Sequence, residues 1–184
     1  GWKLYLAGPD EIVKPVAKAY TKKGSRAFDC DFFTSIYGRP VEAVIVPLKK
    51  MPEFNEKPSV VKTVADGCRI GFDLGASDFK ISALNKGKVV FSKEFPWDPR
   101  NNADPEYHYT MLTNGLKEAA ASLPRVDAIG GSTAGTLVGQ KMGIASLFRA
   151  IKEKNPKKFA DAQNMFFRIE KDWGVPFAIY NDGD

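Results

Sequence analysis

The sequence predicts an α/β protein, a mixed sheet with covering helices whose elements run βββαβαβ. Three observations predict it. Short apolar runs separated by turn residues crowd residues 68–95, an amphipathic stretch follows over 107–123, and two further apolar runs alternate with helical segments up to 180.

Taken in order, Cys68–Leu74 and Phe79–Leu84 read as strands. Asn85-Lys-Gly-Lys88 is a tight turn with a glycine placed for positive φ. It leads into a third strand, Val89–Phe95, so the three form an antiparallel meander. Pro96-Trp-Asp-Pro99 and Asn101–Pro105 make a polar loop. Met111, Leu112, Leu116, Ala119, Ala120 and Leu123 then recur at helical spacing, and Pro124 ends that helix. Val126–Ile129 is a short buried strand running into the small, polar loop Gly130-Gly-Ser-Thr-Ala-Gly135. Ile144–Lys152 and Phe159–Trp173 read as helices, the second capped by Gly174, and Val175–Tyr180 as the last strand.

The 184 residues fit one domain, or one domain with a small appendage, and 43% hydrophobic content with 12% aromatics supports a core. The reading divides the chain into a small N-terminal segment (1–50), a linker rich in proline and charge (51–67) and a main domain (68–184). The first segment holds a helix over Asp10–Thr21, opened by Pro9-Asp10 and closed by Gly24, and a strand-like run Val41–Pro47. Its role is not legible. The basic stretch Lys14–Lys23 admits a winged-helix DNA reader, but no clear helix-turn-helix spacing supports it.

Charge and cysteines exclude several classes. The net charge is +5, but the lysines are scattered or paired with acids nearby, which describes a solvated surface rather than a nucleic-acid face. No apolar run approaches the ~20 residues needed to cross a bilayer, and no signal-peptide pattern opens the chain. Cys30 and Cys68 are isolated, which argues against a disulfide framework or zinc cluster and fits a reducing cytoplasm. His108, the one histidine, reads as surface or packing.

Three segments carry chemistry. Asp73-Leu-Gly-Ala-Ser-Asp-Phe-Lys80 is a strand ending in an acid, a turn with a glycine, and a strand opening with a cation. Such a turn can aim successive N–H groups at an anion. Asp73 could hold Mg²⁺ directly or through water, Ser77 could donate to phosphate, and Lys80 could neutralise charge. An ordinary hairpin with a polar turn is the competing reading. The final strand ends in Asn181-Asp182, where α/β sheets bind ligands. Asp182 could accept a proton from a hydroxyl, and Asn181 suits a polyol, against the alternative of a plain Asx-rich turn. The loop 130–135 offers Ser132 and Thr133 as hydrogen-bonding groups, but lacks the spacing of a P-loop or a dinucleotide fingerprint.

Together these segments resemble a known family. Ile70–Lys80 is similar to the first phosphate motif of the hexokinase, actin and heat-shock ATPase superfamily, with Asp73, Leu74, Gly75 and Phe79 matching. Val175-Pro-Phe-Ala-Ile-Tyr-Asn-Asp182 resembles the Asn-Asp strand of the ROK family of repressors and sugar kinases. The resemblance covers roughly 68–184. It implies a ribonuclease-H-like lobe of the actin-like ATPase class, the N-terminal half of a two-lobed kinase that uses Mg²⁺ and ATP on a sugar. By it, Asp73 is the metal-linked phosphate residue, and Gly75, Ala76, Ser77 and Lys80 surround the phosphates. By it Asn181 would bind the sugar and Asp182 would be the general base, while Ser132 and Thr133 stand as substrate-binding candidates on the loop's own chemistry.

The chain departs from the family in three ways. Ala76 stands where a second glycine is usual, Gly183-Asp184 follow the Asn-Asp pair, and nothing resembles the second lobe or the family's His/Cys zinc site. The reading therefore expects a lobe inactive alone, whose partners are a sugar-like molecule and a missing C-terminal lobe, with room for a homo-oligomer. A non-catalytic, sugar-sensing ROK-type regulator or scaffold is the alternative. An activator-type ATPase of the superfamily would need a cluster-binding cysteine pair that Cys30 and Cys68 do not supply.

Overall fold

The computed structural model describes residues 2–53 and 66–183. The chain forms two compact units, Gly1–Lys62 and Thr63–Asp184. Of the predicted linker, residues 54–65 lie outside the described residues.

In the first unit, β1 (Lys3–Leu6) pairs in parallel with β2 (Glu42–Ile45), and α1 (Asp10–Ala19) and α2 (Ala27–Tyr37) connect them. The sequence reading located α1 and β2 but missed β1 and α2. The reason for α2 is physical: Ala27-Phe-Asp-Cys-Asp-Phe-Phe-Thr-Ser-Ile-Tyr37 is poor in strong helix formers, and no side chain caps its start. Gly38 ends it at φ 66°, the left-handed conformation that glycine adopts without strain.

The second unit is built on a five-stranded sheet. Its meander is β3 (Cys68–Leu74), β4 (Asp78–Asn85) and β5 (Lys88–Pro96), followed by α3 (Pro105–Ala120) and β6 (Ala128–Thr133). A hairpin of β7 (Thr136–Val138) and β8 (Lys141–Ile144) comes next, then α4 (Arg149–Lys154), α5 (Phe159–Gln163), α6 (Met165–Trp173) and β9 (Phe177–Asn181). The sheet order is β5-β4-β3-β6-β9, with β3–β4 and β4–β5 antiparallel and β3–β6 and β6–β9 parallel. This is an α/β architecture, a mixed central sheet with covering helices, as the sequence predicts.

Several boundaries differ from expectation; the helix expected over Ile144–Lys152 begins only at Arg149, Ile144 ending β8. The small residues Gly130–Thr133 are strand, not loop, because β3 and β9 supply ladder partners on both sides. The hairpin β7–β8 was missed, since Gly135 and Gly139 chop it into pieces too short to show alternation. The single helix expected over Phe159–Trp173 is two, meeting at Asn164, whose side chain turns back to donate to the Ala160 carbonyl at 2.8 Å.

Period-two alternation sorts the sheet residues. Ile70, Phe72 and Leu74 of β3, Phe79, Ile81 and Ala83 of β4, Ile129 of β6, and Phe177 and Ile179 of β9 face a core shared with Leu112, Leu116, Phe148, Phe166 and Ile169. The opposite face carries Arg69, Gly71 and Asp73 of β3 and their lateral neighbours. Gly131 lets the core close: a Cβ there would stand 2.3 Å from the Phe72 ring, which stacks on Phe166 and lies tilted against Phe177.

His108 is fully buried, not at the surface. One ring nitrogen lies 3.1 Å from the Asp104 carbonyl and the other 3.0 and 3.1 Å from the carbonyls of Pro99 and Leu147. It packs loop 97–104 against the start of α4, and its role is architectural.

Candidate functional site

The carboxyl ends of β3, β6 and β9 lie side by side, because a parallel ladder in register brings Asp73 level with Ser132 and Ser132 level with Tyr180. Across the other edge of β3, Asp73 is level with Lys80, and Lys80 with Glu94. One transverse row on the face away from the core thus reads Glu94, Lys80, Asp73, Ser132, Tyr180. Asp182 follows just past β9, two interstrand spacings, or roughly 10 Å, from β3. Its N–H donates to the Thr133 carbonyl at 3.3 Å, which holds the chain against β6 beyond the strand's end.

Within that row Ser132 Oγ donates to Asp73 Oδ1 at 2.5 Å. The bond fixes one carboxylate oxygen and leaves the other open on an exposed residue. An exposed carboxylate oxygen fits Mg²⁺, a hard cation that prefers oxygen ligands and retains its waters. Among the described residues no cluster of three or more His, Cys, Asp or Glu could enclose a metal by itself.

The turn between β3 and β4 is braced from beneath. The indole N–H of Trp97 donates to the Gly75 carbonyl at 3.0 Å, and the Trp97 backbone N–H donates to the Ser77 carbonyl at 3.1 Å. Ser77 Oγ donates to Asp78 Oδ2 at 2.9 Å. No acceptor among the described residues takes the backbone N–H of Ala76 or Ser77. Gly75 is required by space, since a Cβ there would stand 2.8 Å from the Asp78 carbonyl oxygen.

The remaining sequence-predicted residues fare differently. Lys80 Nζ lies 3.9 Å from Asp78 and 3.8 Å from Glu94, exposed, so its cation is shared between two carboxylates. Asn181 donates from Nδ2 to the Gly135 carbonyl and accepts the Gly183 N–H at 2.8 Å, bracing the loops around a small cavity of about 280 Å³ lined by Gly135, Thr136, Leu137 and Asn181 itself. Thr133 needs correction. It is fully buried, on the core face of β6, and its hydroxyl donates to the Ala134 carbonyl at 3.3 Å, so it has no surface to offer a substrate. Alternation forbids Ser132 and Thr133 from sharing a face once both lie in a strand. Ser132 faces Asp73 rather than the cavity beside Asn181.

Sequence reasoning missed Trp97, placed in a polar loop. A lone tryptophan directly after the third strand was the available signal, because a tryptophan whose body is buried usually seeks an acceptor for its N–H.

No family model matches the chain, and no curated protein matches it. Solved structures do. A glucokinase from Parabacteroides distasonis is 22% identical with a TM-score of 0.49, over 64% of this chain and 31% of that one. A ROK hexokinase from Thermus thermophilus is 17% identical with a TM-score of 0.44, covering 62% of this chain and 34% of its own. A ROK family transcriptional regulator, a homologue of the Escherichia coli MLC protein, is 16% identical with a TM-score of 0.43, covering 62% and 28%. The chain spans about a third of the length of the solved structures it matches. Among the described residues no helix is long and apolar enough to cross a membrane.

Proposed function

We propose that residues 68–184 serve as the N-terminal lobe of a ROK-like, ATP-dependent sugar kinase and form one wall of its site, the opposite wall belonging to a second lobe. The observation that carries this reading is the meeting, at the carboxyl ends of three adjacent parallel strands, of Asp73, Ser132 and Asn181-Asp182, beside a turn with uncommitted N–H groups. In α/β sheets that edge is where ligands bind.

In this reading each group has a task. Asp73, its carboxylate fixed by Ser132, would hold the Mg²⁺ carried by the nucleotide, which would neutralise phosphate charge. The N–H groups of Ala76 and Ser77 receive phosphate oxygens. Lys80 lends positive charge at the rim, tempered by Asp78 and Glu94. Asn181 shapes the sugar's cavity, and Asp182 accepts the proton of the attacking hydroxyl.

The isolated chain, assayed for hexose-dependent ATP turnover across a sugar panel, is expected to show none; clear turnover would overturn the one-wall assignment. Joined to a second lobe, Asp182→Asn should lower kcat by several orders of magnitude with little change in sugar binding.

The alternative, a sugar-sensing regulator, draws support from Ala76 in place of the second glycine and from the carboxylates claiming Lys80. A regulator would keep its ligand response in the Asp182→Asn variant.

A further inference from the structure

The phosphate turn is held in shape by a residue outside it. Trp97 is 7% exposed, its ring packed edge-on against Phe79 at 5.1 Å and against His108 at 5.9 Å, so it cannot swing. His108 in turn is fixed by the carbonyls of Pro99 and Leu147. From this anchored position the indole N–H donates to the Gly75 carbonyl.

That bond decides which way the next N–H points. In a trans peptide the C=O of one residue and the N–H of the next point in opposite directions in one plane, and no cis bond occurs among the described residues. Pulling the Gly75 carbonyl down onto Trp97 therefore turns the Ala76 N–H up and outward, where no internal acceptor meets it. Gly75 would otherwise be the easiest place for this peptide to flip, because glycine tolerates both orientations. A flipped peptide would present a carbonyl oxygen to the anion, and repulsion would replace attraction.

We propose that Trp97 is a positioning residue for anion binding: its indole N–H locks the Gly75–Ala76 peptide with the N–H outward, so the turn is preorganised before any phosphate arrives. This deepens the kinase-lobe reading and rests on it, since it presumes that the turn meets phosphate. Preorganised donors bind charge without reorganisation at the moment of binding.

The test uses the full chain and Trp97→Phe, which keeps the aromatic packing and the backbone bond to Ser77 but removes the indole N–H. Mg²⁺ with tripolyphosphate is the probe, and amide resonances of Ala76 and Ser77 are followed by ¹⁵N NMR, with melting temperature as the folding control. In the parent chain these two amides should shift on titration. In the variant the affinity should fall about tenfold, the size of one lost hydrogen bond, and the Ala76 amide should show lower order before ligand is added, while the fold persists. If the parent's amides do not respond at all, the phosphate reading fails and this proposal with it. If the parent responds and the variant binds within twofold with unchanged amide order, the phosphate reading survives and the role of Trp97 is overturned. If that variant does not fold, Trp97 is replaced site-specifically by 3-benzothienylalanine, an isostere with sulfur in place of the N–H, and read by the same two measurements.

Discussion

Gly130 and Gly131 are neighbours in β6 yet live in different worlds, because alternation sends one to each face. A Cβ at Gly131 would collide with the Phe72 ring, whereas at Gly130 the nearest atom is the Ala178 carbonyl oxygen at 3.8 Å. Gly131→Ala should therefore cost roughly 1–3 kcal/mol, as overpacking in a closed core does. Gly130→Ala should be close to neutral, and a urea titration of both variants would show it. Similar losses at the two positions would mean that the face assignment is wrong. The same alternation separates Ser132, on the row with Asp73, from buried Thr133. A reading that took 130–135 as a loop had no means of separating them, since loops impose no period.

At the scale of elements, the strength of local signals decided what was legible. The meander β3–β4–β5 was found almost residue for residue because its turn, Lys86-Gly87 at φ 50° and 77°, announces itself in sequence. Helix α3 was legible through its apolar spacing, though its start lies at Pro105, with Asp104 accepting the Glu106 N–H at 3.3 Å as the N-cap. Asp104→Ala should cost about 1 kcal/mol, measured as a lowered denaturation midpoint with an unchanged slope. Lys158, 3.7 Å from the same carboxylate and exposed, adds little to that. By contrast α2 and the hairpin β7–β8 carry weak local preferences, and they form because neighbouring segments bury or pair them.

For the whole molecule, one carboxylate ties the start of the site-bearing strand to its parallel neighbour. Asp127, just before β6, accepts the Cys68 N–H at 2.7 Å and pairs with Arg125 at 2.6 Å, while its own N–H donates to the Cys68 carbonyl. The bond from Arg125, then that from Cys68, holds its carboxyl below the usual carboxylate range. A pKa depressed by folding contributes stability that is present above the unfolded value, near 4, and lost as pH falls through the lowered folded value. Asp127→Asn should therefore be less stable than the parent at pH 7. The gap should close in strongly acid solution, which denaturant midpoints from pH 7 to 2 would reveal. A gap independent of pH would show that the charge is not what matters.

The sequence by itself determined the meander, the long helix, the acid-glycine turn and the Asn-Asp strand end, because each is written in local residue preference and spacing. Only the tertiary structure decided which of these chemical groups meet. Strand register set Asp73 beside Ser132, alternation removed Thr133 to the core, and Lys80 found two carboxylates. A tryptophan 22 residues downstream of Gly75 took hold of that residue's carbonyl. Register, facing and long-range hydrogen bonds depend on which strand lies next to which. That order arises from burying a shared core, and no window of local sequence contains it.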